Sequence, residues 1–458
     1  MGESASMSRR QFTKGSLAAA VLIGETIELR AEPLQQAAET AKDQLRVAVV
    51  GAGGRGADNL QDLRTTGVKI VALCDCDERR AADSFKAYPD AKKYADWRKL
   101  FDASTTFDAV LVATPDHNHA IISIAAMKLG KHVYCEKPLA HSIWEARQMA
   151  AVAKKAGVVT QMGTQGHAFE GTRRAVEVFK SGVLGAVTEL HVWTDRPKNW
   201  WPQGVGRPLG SPPVPQGLDW DVWLGPAPSR PFHPDYVPFK WRGFWDFGTG
   251  ALGDMGVHNL DTAFWGLGLT APTAVKIKDR SPTFADPSSR ESLPQWSILE
   301  FQFPARGDQL PVRMTWYDGG KLPPAELFHG EPIPNRDGGS LAIGSKGSLL
   351  TRTWHGGESE ADMFVLLPRK KFVDFRPPPR TLPRVRSHHH EWVSACRADG
   401  QTFSNFGYAS VLTESLLAGD LALRIGKDIR WDSSAVKAVG CPEADQYIRP
   451  EFRKGWSI

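Results

Sequence analysis

Little in this sequence points to a crosslinked, membrane-spanning or nucleic-acid-binding protein. Cysteine is scarce: Cys74, Cys76, Cys135, Cys396 and Cys441 are odd in number and contain no CxxC pair, which excludes a disulfide framework and leaves buried free thiols. No apolar run reaches the ~18–20 residues that a membrane-spanning helix requires. Charge of one sign is not in surplus either: the net +5 over 458 residues is small and not gathered into a stripe, which argues against a nucleic-acid partner. Metal-ligand spacing is missing as well. His117, His119 and the run His388-His389-His390 supply neither an HxxxH motif with its acid nor a Cys/His pattern, so no metal is expected. The three consecutive histidines precede Glu391-Trp392 at a helix start, where polar side chains cap. Gly344-Ser345-Lys346-Gly347 lacks the spacing of a phosphate loop and reads as a hairpin turn.

What is present is globular: 41% apolar and 23% charged residues, in a chain long enough for two domains with cores of their own. Ser8-Arg9-Arg10-Gln11-Phe12-Thr13-Lys14, followed by a weakly apolar stretch from Gly15 to Gly24, resembles a bacterial twin-arginine export signal. Residues 1–43 are therefore read as signal and linker, with the mature protein expected in the periplasm. That route carries folded proteins, so a chain using it can take a bound cofactor along.

Leu45 to Val50 is a β-branched run leading into Gly51-Ala52-Gly53-Gly54-Arg55-Gly56, and Asn59 to Leu63 reads as helix. Strand, glycine turn and helix in this order form a dinucleotide fingerprint. Gly51 allows the tight turn, Gly53 the approach of backbone to a pyrophosphate, and Gly56 close packing of helix on strand; the helix N-terminus, with Gly54 and Arg55, faces the anion. A second strand, Val68 to Cys74, ends at Asp75, where an acid meets ribose hydroxyls and repels a 2′-phosphate, which predicts NAD rather than NADP. Alternation continues through helix 78–88, a short segment at Lys93-Tyr94, helix 97–101, strand 109–113, the break Thr114-Pro115-Asp116-His117-Asn118-His119, helix 120–129 and strand 132–135. This predicts a doubly wound parallel sheet whose strand ends present Thr114, Pro115, His119, Glu136 and Lys137 to the nicotinamide.

Glu136-Lys137-Pro138, the upstream glycine motif and Gly253-Asp254-Met255-Gly256-Val257-His258 resemble the glucose–fructose oxidoreductase/inositol dehydrogenase (Gfo/Idh/MocA) family, from about Leu45 to Trp431. The resemblance implies that Lys137, Asp254 and His258 line a substrate pocket, and that Gly163-Thr164-Gln165 closes the nucleotide domain, with Gln165 at the cofactor. The residue types suit alcohol oxidation. Hydride loss requires a base for the hydroxyl proton and a cation near the forming carbonyl oxygen; His258 suits the first and Lys137 the second, though Lys137 can share the proton. Asp254 and His258, four apart, share a face if the segment is helical, and Asp254 can also bond a sugar hydroxyl.

Residues 44–166 are thus expected to form the NAD-binding Rossmann domain, 167–435 a second α+β domain for substrate and oligomerisation, and 436–458 a tail. Within the second, a helix at 171–181 and a strand at 187–194 precede a Pro- and Gly-rich insertion from Arg196 to Phe239. Seven of the sixteen tryptophans lie between Trp193 and Trp245. Aromatic faces flanked by polar groups fit carbohydrate, whose C–H faces stack while its hydroxyls bond; the same rings also serve as the small core of a long loop, and both roles are expected. Trp201, Arg242, Trp245 and Asp246 are the candidate substrate contacts. Strands at 273–278, 297–303, 312–317 and 340–343, with closing helices at 390–397 and 408–423, fit the open, mainly antiparallel sheet of the family, whose outer face commonly forms a dimer or tetramer. Residues 355–386 read as loop.

The expected function is oxidation at CH–OH groups of a sugar, glycoside or cyclitol with tightly held, internally recycled NAD. Glycoside cleavage or epimerisation through a 3-keto intermediate is the alternative, and a non-catalytic sugar binder a third reading.

Overall fold

The computed structural model describes residues 44–353 and 364–458. The export-signal reading of residues 1–43 lies outside them, as does part of the segment at 355–386.

The first domain forms where short β-branched runs alternate with amphipathic helices. Its order is β1 (Arg46–Val50), α1 (Arg55–Leu63), β2 (Lys69–Cys74), α2 (Glu78–Ala87), β3 (Lys92–Tyr94), α3 (Trp97–Phe101), β4 (Ala109–Val112), α4 (Asp116–Lys128), β5 (His132–Cys135), α5 (Ile143–Ala156) and β6 (Thr160–Met162). The six strands are parallel in the order β3-β2-β1-β4-β5-β6. That order reverses direction at β1/β4, so the crevice at their carboxyl ends is the ligand position of such sheets. β1 and β4 are buried on both faces, as a strand covered by helices on each side must be. His117, Asn118 and His119 belong to the first turn of α4 rather than to a loop before it: Pro115 precedes the helix and Asp116 opens it with the acid that the dipole favours.

The second domain contains α6 (Glu170–Lys180), β7 (Val187–Trp193), α7 (Trp220–Leu224), α8 (Gly250–Asn259), α9 (Asp261–Leu267), β8 (Ala274–Arg280), β9 (Ser297–Phe303), β10 (Val312–Tyr317), β11 (Gly339–Gly344), β12 (Gly347–Arg352), β13 (Phe364–Leu367), α10 (His388–Cys396), α11 (Phe406–Ile425), β14 (Ile429–Asp432), β15 (Lys437–Ala438) and α12 (Asp445–Ile448). Nine strands run in the order β13-β12-β11-β7-β10-β9-β8-β14-β15, antiparallel except for β7 with β10. β9 alternates strictly, with Leu299, Phe301 and Phe303 turned into the core. The other face is mixed: Arg313 pairs with Glu189 at 3.0 Å and Gln302 donates to Glu300, beside an apolar cluster that includes Trp193, Tyr317, Leu341 and Leu350.

Two segments depart from the expectations. β13 lies in the stretch read as loop; its four residues pair with β12, too short a run to show a period. Beyond it, the backbone amides of Thr381 and Leu382 and the guanidinium of Arg384 all bond Glu177 on α6. These partners and Arg174 outweigh the cost of burial and hold the Glu177 carboxyl down to about 2. Residues 436–458 pack back on the molecule: Arg453 donates to the carbonyls of Asp221 and Gly225, and Trp456 meets Trp97 of the first domain at 6.3 Å.

Candidate active site

A cleft of about 680 Å³ runs from the glycine turn, past the ends of β2, β4 and β5, to α8. At its first end, Gly51 has φ +85° and an added Cβ would strike the Ala113 carbonyl oxygen at 2.6 Å. Gly56 is tighter still, since its Cβ would fall 1.7 Å from the oxygen of Gly51, so α1 rests directly on the turn. Gly51, Gly53, Gly54 and Arg55 line the cleft, whereas Gly56 serves only this packing. Asp75 also lines it; its carboxylate accepts from the amides of Gly53 (2.9 Å) and Asp77 (3.0 Å), which ties the turn to the end of β2. Burial raises the Asp75 pKa, against those two bonds.

Midway, Glu136 gathers three donors on one oxygen: Arg55 Nε at 3.0 Å, Asn59 Nδ2 at 2.9 Å and Gln165 Nε2 at 3.0 Å. Asn59 in turn meets His389 of α10, a link between residues far apart in sequence and without a local signal. Thr114 and Pro115 line the same stretch, and Thr114 Oγ1 is buried with no hydrogen-bond partner among the described residues. A buried orphan hydroxyl at the mouth of β4 fits a polar ligand that completes it. This cradle and the ribose-positioned Asp75 suit a dinucleotide.

At the far end, Lys137, in the loop after β5, reaches α8. Lys137 Nζ donates to Asp254 Oδ1 at 2.8 Å and to the Asp254 carbonyl at 3.0 Å. α8 does carry Asp254 and His258 one turn apart, and both line the cleft. Burial opposes the charge on Asp254, but Lys137, Arg242 and Arg196 outweigh it and hold the carboxyl well below the usual range. Burial, then the charge of Lys137, pushes the His258 imidazole well below its ordinary value, so the ring is neutral at pH 7. Thr164 Oγ1 lies 3.3 Å from His258 Nδ1 and fixes the ring.

Four of the sequence candidates lie elsewhere. His119 is buried, its ring between the carbonyls of Pro138 and Thr114 at 2.8 Å each. Trp201 is buried and donates to Gln203. Asp246 is bound by Arg230 and lies 3.8 Å from Arg424. Trp245 packs under Arg424 in a separate small cavity. The cleft is walled instead by Trp200, Trp223, Phe239, Trp241, Arg242 and Arg196, while Trp220, Phe232, Tyr236, Phe244 and Phe247 form a small aromatic core behind them. The Pro- and Gly-rich insertion thus does both jobs. It also reaches the other end of the cleft: Asp77 and Leu218 form an antiparallel bridge, Glu78 N donates to Gly217 O at 2.8 Å and Asp219 N to Cys76 O at 2.7 Å. His117 and Asn118 tie the same segment at the Trp223 carbonyl.

Comparison with known proteins agrees with this architecture. Residues 45–164 match the model of the oxidoreductase family described by its NAD-binding Rossmann fold (GFO_IDH_MocA), and residues 170–304 that of its C-terminal alpha/beta domain. Inositol 2-dehydrogenase 2 of Saccharopolyspora erythraea is 26% identical over 259 residues, 56% of this chain and 63% of that protein. The match therefore spans less than two thirds of that relative. Among solved structures, the WlbA dehydrogenase of Bordetella pertussis, in complex with NADH and UDP-GlcNAcA, superposes with a TM-score of 0.58 at 17% identity, covering 85% of this chain and 99% of that one. GenD2 from gentamicin A biosynthesis, in complex with NAD, does so at 0.56 and 21%, covering 85% and 97%. At such identities these two bear on the fold alone. With both domain models matched over more than half its length, the chain belongs to the Gfo/Idh/MocA oxidoreductase family and carries its NAD-binding Rossmann fold.

Proposed function

We propose that this protein is an NAD-dependent oxidoreductase acting on a CH–OH group of a sugar, glycoside or cyclitol, and that it keeps its NAD bound and recycles it within each turnover. The observation that carries the reading is the convergence of Lys137, Asp254 and His258 at the end of the cleft that begins at the glycine turn. When bound, NAD supplies the hydride acceptor. Gly51 to Arg55, Asp75, Thr114, Pro115 and Gln165 hold it. His258, neutral through burial and the nearby Lys137, takes the hydroxyl proton. Lys137 polarises the oxygen that becomes a carbonyl, and Asp254 holds Lys137 in place from the opposite domain. Inositol 2-dehydrogenase, a cyclitol enzyme by name, supports the polyol class.

Captivity of the cofactor rests on the segment bonded across Cys76 to Glu78, next to Asp75 at that end of the cleft, which would restrain a bound nucleotide. The export reading of Arg9-Arg10 belongs to the same proposal: in the periplasm there is no free NAD pool, so the net chemistry is redox-neutral. Coupling of two substrates, epimerisation and opening of a glycosidic bond through a 3-keto sugar all meet that condition. The outer face of the nine-stranded sheet is where a second copy pairs in this reading. The test is to purify the protein without added nucleotide, denature it and quantify NAD, NADH and NADP. Near-stoichiometric NAD or NADH supports the reading; nucleotide-free protein overturns captivity.

A further inference from the structure

The substrate end of the cleft carries more positive charge than its own carboxylates balance. Lys137, Arg196, Arg242 and Arg336 line it, against Asp254 and Asp337. Asp254 is shared by three of these cations: Lys137 at 2.8 Å, Arg242 at 3.4 Å and Arg196 at 3.5 Å. Asp337 takes Arg196 at 2.7 Å and lies 3.9 Å from Arg336, whose side chain is 90% exposed. Asp116 also lines the cleft, where it interacts with the buried His119 one turn along α4 and with Arg242, which leaves Arg336 as the cation least matched by a carboxylate. His258 adds no charge.

Two of the guanidiniums lie over aromatic rings. Arg196 stacks 3.6 Å from the centre of Trp200, and Arg242 lies 4.0 Å from Phe239 and 4.4 Å from Trp241. Stacking desolvates the face of a guanidinium and leaves its edge N–H groups as a rigid fork suited to an oxyanion. Arg196 Nε is buried without a hydrogen-bond partner among the described residues, as is the acceptor Asp254 Oδ2. A neutral polyol needs donors and acceptors in rough balance, whereas converging cations between low-dielectric walls concentrate an anion.

Building on the oxidoreductase reading, we infer that the substrate is an acidic sugar or polyol whose anionic group sits between Arg196, Arg242 and Arg336, with the oxidised hydroxyl at Lys137 and His258. A carboxylate, as in a hexuronate, or a phosphate monoester presents the chemistry these forks bind.

The experiment titrates full-length, NAD-loaded protein by calorimetry with hexuronates, hexose 6-phosphates and their neutral parent hexoses, and follows the reduced-nicotinamide absorbance in parallel. The acid is expected to bind about tenfold or more tightly than its neutral parent, with an advantage that shrinks as salt rises. Arg336→Gln, at an exposed position that leaves folding intact, is expected to lower that advantage about two- to fivefold while the bound nucleotide stays. Preference for uronate over phosphate ester, or the reverse, identifies the anion. Equal binding and equal reduction with neutral and acidic sugars overturns the charge inference and leaves the oxidoreductase reading standing. Tight binding of the acid with neither a nicotinamide absorbance change nor any converted sugar among the products overturns the oxidoreductase reading instead, and absence of binding by every sugar overturns both.

Discussion

Lys137 and Asp254, 117 positions apart in sequence, meet at 2.8 Å and join the loop after β5 to helix α8. Neither domain contains this pair alone, so the candidate catalytic end exists only when the two are docked. Lys137→Met preserves the volume of the stem and removes the charge. It is expected to lower kcat on the order of 10²–10⁴-fold, with bound nucleotide little changed and the melting temperature lowered by the loss of Asp254's partner. Turnover near that of the parent would show that Lys137 takes no part in chemistry.

The cover over the nucleotide end leads to a second expectation. Arg453 donates to the carbonyls of Asp221 and Gly225 and so pins the far side of the segment that bridges to Asp77. Arg453→Ala removes those bonds at a stability cost of about 1–3 kcal/mol. Loosening the cover is expected to raise the rate of NAD loss several-fold, measured as nucleotide content after timed dialysis. Unchanged retention would mean that the cover does not gate the cofactor.

Why these links escape a reading of the sequence while others do not follows from the range over which each is encoded. The turn from β1 into α1 is local: glycine spacing, a β-branched run and a helix start lie within one window, and steric contacts such as Gly56 on Gly51 follow directly. Lys137, Asp254 and His258 were legible through short motifs. By contrast, Asp246 stands beside the Arg242 that does line the cleft, yet it is claimed by Arg230, a residue inside an irregular segment with no period to reveal the pairing. Trp200 and Trp201 are adjacent, and only the backbone path places one on the cleft wall and the other beneath it. The Glu78 bond to Gly217 joins two domains through backbone atoms, which carry no side-chain signature at all.

His258 has a consequence for pH dependence. Burial, reinforced by the charge of Lys137, displaces its pKa well below 6.5. A base works in its deprotonated form, so the depressed value extends activity toward acid. The kcat/KM profile is expected to show no falling limb near the ordinary histidine pKa of about 6.5. A limb there that disappears in His258→Asn would sink this assignment.

His119 faces carbonyl oxygens with both ring nitrogens, Thr114 on one side and Pro138 on the other, each at 2.8 Å. Only the protonated ring can donate both bonds. Burial works against that proton, but Cys135, Asp116 and the bond to Pro138 outweigh it, raising the pKa to about 10. A histidine raised in the folded state stabilises fully below its unfolded pKa, and the contribution drains away as pH climbs from about 6.5 to about 10. The two carbonyls belong to the loops carrying Thr114 and Lys137, so this clamp ties those loops together. Urea midpoints are expected to fall across that alkaline window in the parent protein. In His119→Gln, whose amide cannot titrate, the fall should flatten, and the midpoint below pH 6.5 should drop by roughly 1–3 kcal/mol in unfolding free energy. Identical alkaline slopes in the two proteins would show that His119 is neutral in the fold and that one of its two carbonyl bonds is not made.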